Sequence, residues 1–469
     1  MMVATPNRST MAIMMRRITI LCTVGFIWTV ALPAAAQQAR ITPDDWVALL
    51  QHGTPEEKIR AARMLADLQA IETIPALGAA LDDPEPKVRF YVIRALGSLR
   101  DPGVEPYWGK ALRDPVGENR REAYKFMMAY YLGVPVPPTW KQILPGFYRE
   151  PRQERLPWKT VHASVVEALR QWLRADDDTW IALAVNAAGR LWIHALVPDL
   201  VHLLQTAQAK RVVMNVFRTL GRLHACTALQ SLQHWLNSPD IEILERVVWA
   251  VAQCAGTWPA VGDRLFAEYN RTRDARRRFV FFQGLAYTGY APAASLFVRG
   301  LTSDDARTRM VAAEGLGRIG DPQYQEDLGR AFLQETDPGA RLAMDFALFL
   351  LGRREHAVDF IRVLQEENDD RYWQLAGYVA EAGERIIPEM FRYFDRLERK
   401  VQLRVLQLAS HTDATDVIPL LERYLNSPDE EIVVAAFESI KIIRQAHRLR
   451  QAGQAAPPAT PSGATDAPH

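Results

Sequence analysis

The chain has 469 residues, 48% of them hydrophobic and 24% charged, with 56 basic residues against 55 acidic. That length exceeds one ordinary compact core, and that composition excludes an intrinsically disordered chain. A net charge of +1 excludes the broad basic footprint with which nucleic-acid binders neutralise phosphates.

The N-terminal segment reads as a targeting signal. Arg16 and Arg17 precede the apolar run "ITILCTVGFIWTVAL" (Ile18–Leu32), and small residues follow at Ala34 and Ala36. A basic region, a short apolar region and a small-x-small site make a secretory signal peptide, cleaved after Ala36. The run is shorter than a helix needs to cross a ~30 Å hydrocarbon core. The expectation is therefore an exported protein of a bacterial periplasm or the extracellular space, starting at Gln37. Cleavage removes Cys22, three arginines and no acid, so the exported chain carries a net charge of −2 and two cysteines, Cys226 and Cys254. In an oxidising compartment these two can pair as a disulfide.

From Pro43 onward the chain repeats. "LNSPDIEI" (Leu236–Ile243) recurs as "LNSPDEEI" (Leu425–Ile432), 189 residues later, and "ALGSLRDP" (Ala95–Pro102) is echoed by "GLGRIGDP" (Gly315–Pro322). Gly189 and Gly221 stand 32 apart. Each unit opens on an Asp, Ser or Asn that can cap free helix N–H groups. An apolar helix rich in small residues follows, then a Gly and often Asp-Pro, then a second amphipathic helix. A helical hairpin of about 31 residues cannot bury its apolar face alone, so neighbours must stack. No alternating strand pattern appears.

Through "DPEPKVRFYVIRALGSLRDP" and "DDARTRMVAAEGLGRIGDP" the sequence resembles the HEAT-repeat superfamily, in its short-period class called PBS-lyase HEAT-like. The resemblance spans most of Pro43–Arg450. It implies an all-α fold, a right-handed superhelical solenoid of HEAT/armadillo type with about twelve helical hairpins. It leaves function open, because that superfamily hosts scaffolds, adaptors, lyases and an oxygenase group. The HEAT-like deoxyhypusine hydroxylases carry paired His-Glu dipeptides, and this chain has none. Phycobilin-lyase relatives act on cytoplasmic proteins, which the signal peptide argues against.

The repeat train breaks once. "GVPVPPTWKQILPGFYREPRQERLPW" (Gly133–Trp158) holds six prolines, which forbid a long regular helix. Flanking helices are expected over Glu118–Gly133 and Thr160–Asp178, so this segment reads as one hairpin's connecting loop expanded by about 25 residues. Trp140, Phe147, Tyr148, Arg149, Arg152 and Trp158 make it a candidate partner-binding loop, since aromatics and arginines dominate binding hot spots. The alternative is a loop folded back over a gap between hairpins. Trp172, Trp180 and Trp192 read as core.

"RTRDARRR" supplies Arg271, Arg273, Arg276, Arg277 and Arg278, directly before "FVFF". These five are a solvated helix start or an anionic-ligand patch for lipid headgroups or an acidic partner. "GLGRIG" (Gly315–Gly320) matches a dinucleotide fingerprint but closes a helix instead of opening one, so its glycines serve packing and a helix end. The sequence offers no catalytic motif, no metal-ligand spacing and no cofactor site. The domain reading is then a signal (1–36), N-terminal repeats (37–132), the insertion (133–158), the main array (159–450) and a Pro/Ala/Ser-rich disordered tail (451–469). The functional expectation is a non-enzymatic scaffold or adaptor for a protein or peptide partner, with no nucleic acid. Peripheral association with an envelope membrane is compatible. The alternatives are an enzyme or accessory subunit acting on envelope or exported substrates, and a binder of glycan or lipid headgroups.

Overall fold

A computed structural model of the chain describes residues 42–133, 159–206, 209–366 and 368–455. These residues form 23 helices and no strand. In chain order they are α1 (Pro43–His52), α2 (Pro55–Asp67), α3 (Ile74–Ala79), α4 (Pro86–Leu99), α5 (Glu105–Ala111), α6 (Gly117–Leu132), α7 (Ala163–Trp172), α8 (Asp178–Arg190), α9 (Val197–Thr206), α10 (Lys210–Arg222), α11 (Cys226–Ser231) and α12 (Ile241–Ala252). They continue as α13 (Val261–Arg271), α14 (Ala275–Thr288), α15 (Ala294–Gly300), α16 (Ala306–Ile319), α17 (Gln325–Gln334), α18 (Pro338–Leu350), α19 (Ala357–Gln365), α20 (Asp369–Phe391, bent at Ala382), α21 (Arg399–Ala409), α22 (Ile418–Glu422) and α23 (Glu430–Ala455). Among the described residues no helix is long and apolar enough to cross a membrane.

The longer helices stack on one another in sequence, α2 on α4, α8 on α10, then α12, α14, α16 and α18, and finally α21 on α23. The shorter helices between them form a second layer, and one continuous core runs between the layers. This is the α-solenoid that the periodicity predicts. Acidic caps start the long helices: Asp240 accepts from the N–H groups of Glu242 and Ile243, Asp305 from Arg307 and Thr308, Asp337 from Gly339 and Ala340. Each long helix that ends in a left-handed residue does so at the same place in its unit. Those residues are Gln69, Arg100, Gly133, Trp192, His224, Gly289, Gly320 and Gly352. Only half of them are glycine, although the conformation costs other residues roughly 1–2 kcal/mol. Within "GLGRIG", Gly320 is this helix end (φ 75°), while Gly317 lets α16 approach α18 so closely that an added Cβ would sit 2.7 Å from the Ala347 Cα.

The insertion read at Gly133–Trp158 lies, apart from Gly133, outside the described residues. Gly133 (φ 63°) holds the same left-handed position that leads other units into a tight turn. The next described helix, α7, packs on α5 as the short partner of α6 should, and Gly109 makes room for the Ser164 backbone, which would lie 2.4 Å from an added Cβ. The described residues on either side of 134–158 are thus the end of a long helix and the start of its short mate. At the base of the loop Lys159 donates to the Tyr130 hydroxyl and lies 3.5 Å from Glu105, and the Tyr131 hydroxyl accepts from the His162 N–H. Trp172 and Trp180 are core, 4.8 Å apart and buried, whereas Trp192 is only half-buried at its left-handed turn. At the other end α23 runs on to Ala455, taking in the first residues of the segment read as tail.

Candidate functional site

The turn between α13 and α14 separates the five arginines of "RTRDARRR" into distinct roles. Arg271 pairs with Glu268 at 2.5 Å and with the Asn237 side chain at 2.6 Å. Arg277 turns inward and donates to the Ser238 and Leu236 carbonyls, closing the end of the preceding unit. Arg278 lies 4.7 Å over the Tyr269 ring and donates to its hydroxyl at 3.2 Å. Arg273 and Arg276 are exposed and hold no ion pair among the described residues. So two members of the patch brace the fold, one braces an aromatic ring, and two carry uncommitted positive charge.

Beside them opens a cleft of about 380 Å³ whose wall includes Tyr269, Phe279, Phe282, Leu296 and Arg278. The rings form its floor, with Phe282 5.1 Å from the buried Phe297 and 6.5 Å from Phe279. Two further exposed arginines reach it: Arg299 on the wall, and Arg307, whose guanidinium lies 5.4 Å over Phe279. Two of the nearest acids are engaged locally: Asp274 and Asp305 cap α14 and α16. An apolar floor with a guanidinium rim suits a ligand that carries both an apolar group and negative charge. Arg299 and Arg307 were not singled out from the sequence. Arg307 follows Arg276 by 31 residues, one repeat, and that register was the available signal.

The other predicted residues divide plainly. Cys226, at the start of α11, and Cys254, just beyond α12, are joined as a disulfide with Cα atoms 5.5 Å apart, linking neighbouring units. Trp140, Phe147, Tyr148, Arg149, Arg152 and Trp158 lie outside the described residues. A larger cleft of about 720 Å³ near Asp369 and Leu403 is a weaker candidate, because its cations are engaged. Arg399 pairs with Asp429 and Glu431, and Arg404 donates to the Leu364 and Glu366 carbonyls. Across α18, side chains of α16 and α20 close over the helix: Tyr378 donates to Glu314 at 2.7 Å and Arg318 pairs with Glu381 at 2.7 Å. Burial and Glu314 together hold the Tyr378 hydroxyl far above its ordinary pKa, so it stays a neutral donor. Arg318 also pairs with Glu314 at 3.3 Å, so that cluster is a bracket whose polar groups are spent on one another.

Comparison with known proteins agrees with this architecture. Residues 43–128 match HEAT repeats, and residues 308–334 match the PBS lyase HEAT-like repeat. The chain carries HEAT repeats. A curated relative, the uncharacterized phycocyanin operon protein Y of Pseudanabaena tenuis (strain PCC 7409), is 26% identical over 180 residues, 38% of this chain and 42% of that protein. The match thus spans less than half of the relative's length. A solved crystal structure of an engineered protein matches at 17% identity over 86% of this chain and 98% of its own, with a TM-score of 0.31, a value that carries no argument. HEAT repeats commonly mediate protein interactions, which supports the coarse reading of a scaffold or adaptor.

Proposed function

We propose that this HEAT-repeat protein is an exported adaptor that holds an acidic protein segment bearing an aromatic or aliphatic anchor. One observation carries the reading: Arg278 and the exposed Arg299 line an aromatic-floored cleft, with Arg307 over its Phe279 ring, on a chain that is otherwise near neutral. The anchor would fill the space over Phe279 and Phe282, and the arginines would pair with flanking carboxylates. Charged rims of this kind raise association rates and specificity. The Gly133–Trp158 loop, with its aromatics and arginines, would contribute a second contact. Support for export comes from the N-terminal signal pattern and from a cysteine pair that an oxidising compartment would keep bonded.

The test uses the full chain expressed with its own N-terminus in a bacterial host. Its binding is measured by fluorescence anisotropy with a labelled peptide of Asp and Glu around one Phe. Wild type should bind with strong salt dependence, and Arg299→Glu/Arg307→Glu should weaken binding at least tenfold while circular dichroism stays unchanged. Equal affinity in the folded variant overturns the site. N-terminal sequencing should return Gln37, and an intact Met1 on the purified protein overturns export.

A further inference from the structure

Helix α18 is buried on every side from Leu342 to Phe349, and within that stretch Asp345 is the only ionisable residue. Its carboxylate faces the turn that leads from α18 into α19. There His356 Nδ1 stands 2.7 Å from Asp345 Oδ1 and 3.8 Å from Asp359 Oδ2. His356 is the residue just before α19 and Asp359 lies in its first turn. One donor atom from each of the three residues falls within a sphere where all are at most 4.8 Å apart. The ring is steadied by Phe332, edge-on at 5.2 Å. The other Asp359 oxygen is held by Arg362, which leaves Oδ2 toward the imidazole.

Two carboxylates thus converge on one imidazole nitrogen beneath the surface. The set turns one imidazole nitrogen and two carboxylate oxygens toward a common point. In a tetrahedral zinc site with bonds of about 2.0–2.1 Å, neighbouring ligand atoms sit roughly 3.3–3.4 Å apart, and the 2.7 and 3.8 Å separations here bracket that value. The two carboxylate oxygens lie within 4.8 Å of each other, so they close toward each other as the ion is bound.

We propose that Asp345, His356 and Asp359 form a binding site for a first-row divalent cation of zinc type. Asp345 and Asp359 each supply a carboxylate oxygen and His356 supplies Nδ1. With Nδ1 on the ion, the imidazole carries its proton on Nε2. Asp359 is 24% exposed, so water reaches the fourth position. One imidazole with two carboxylates favours zinc, cobalt or nickel over magnesium or calcium, which take all-oxygen shells. The ion would clip α18 to α19 within one hairpin. The ligands are far apart in chemistry and in sequence from the arginine cleft, so this proposal stands or falls separately from the adaptor reading.

The experiment titrates Zn²⁺ into the untagged, chelator-treated full chain by calorimetry, with Mg²⁺ as the contrast. One equivalent should bind at micromolar concentration or tighter, and Mg²⁺ should give no comparable heat. Co²⁺ should give visible absorption of a four-coordinate site. His356→Gln and Asp359→Asn should each weaken Zn²⁺ binding at least thirtyfold. Asp359 is partly exposed, so that variant reports on the site even where a change at buried Asp345 disturbs folding. Absence of a stoichiometric Zn²⁺ site in wild type overturns the proposal, and so does binding that survives unchanged in His356→Gln or in Asp359→Asn.

Discussion

Arg309 joins three parts of one unit, and replacing it by methionine isolates the effect of its charge. The guanidinium makes a two-pronged pair with Glu335, at 2.7 and 2.8 Å, and donates to the carbonyls of Ser303 and Asp304 at 2.8 and 3.0 Å. The Glu335 side chain is only 1% exposed. Arg309→Met keeps the apolar stem and strands that carboxylate with two backbone donors, Thr336 and Asp337. Breaking a buried pair by removing one partner costs about 3–5 kcal/mol, because the remaining charge is desolvated and unmatched. Arg309 is itself partly exposed, so the lower part of that range, about 3 kcal/mol, is expected. Adding Glu335→Gln to the variant removes the stranded charge and should return at least half the loss. The Arg309 hydrogen bonds hold the Glu335 pKa below its ordinary 4.5. The pair's contribution is therefore present above pH 4.5 and fades as pH falls through the lowered value. Because a solenoid unfolds by units, the measurement is hydrogen exchange of α16 and α18 amides, at pH 7 and at low pH. A loss below about 1 kcal/mol at pH 7, or a loss that does not shrink in acid, refutes the reasoning.

Two further outcomes follow from buried groups at the C-terminal end and in the middle of the array. The His411 ring packs edge-on to Trp373 and near Tyr372, and burial pushes its pKa down from 6.5 to about 4. The neutral ring is favoured in the fold, so stability is full above pH 6.5 and is lost as pH falls toward 4, by up to about 3 kcal/mol. His411→Phe should flatten that acid limb in hydrogen exchange of α21, and an unchanged limb would contradict the assignment. Gly317→Ala gains helix propensity of up to about 1 kcal/mol, yet its Cβ meets the Ala347 backbone at 2.7 Å. Net destabilisation of about 1 kcal/mol or more is expected, and a raised melting temperature would show that α16 and α18 can separate freely.

The fold was legible because each unit repeats the same local chemistry. The 189-residue echo of "LNSPD" is structural at both ends: Asp240 and Asp429 each cap the next long helix. Each also pairs with a cation from the preceding long helix, Lys210 at 2.7 Å from Asp240 and Arg399 with Asp429. Lys210 and Arg399 are themselves 189 residues apart, so the repeat preserved a pair as well as a motif. The turn positions were only half legible, since Gln69, Arg100, Trp192 and His224 adopt the left-handed conformation where glycine would have announced it. The sites were harder still, and for a physical reason. In a solenoid, residues one period apart become neighbours, and a charge run such as Arg271–Arg278 is then divided by which side of the helix each member leaves. Arg277 is spent on carbonyls of the preceding unit, while Arg276, one residue away, is exposed. Asp345, His356 and Asp359 carry no recognisable spacing as a set, because a helix end and a tight turn intervene between the first two. Periodicity reveals what every unit shares, whereas a binding site is built from the residues by which one unit differs, so the repeat that discloses the architecture conceals the site.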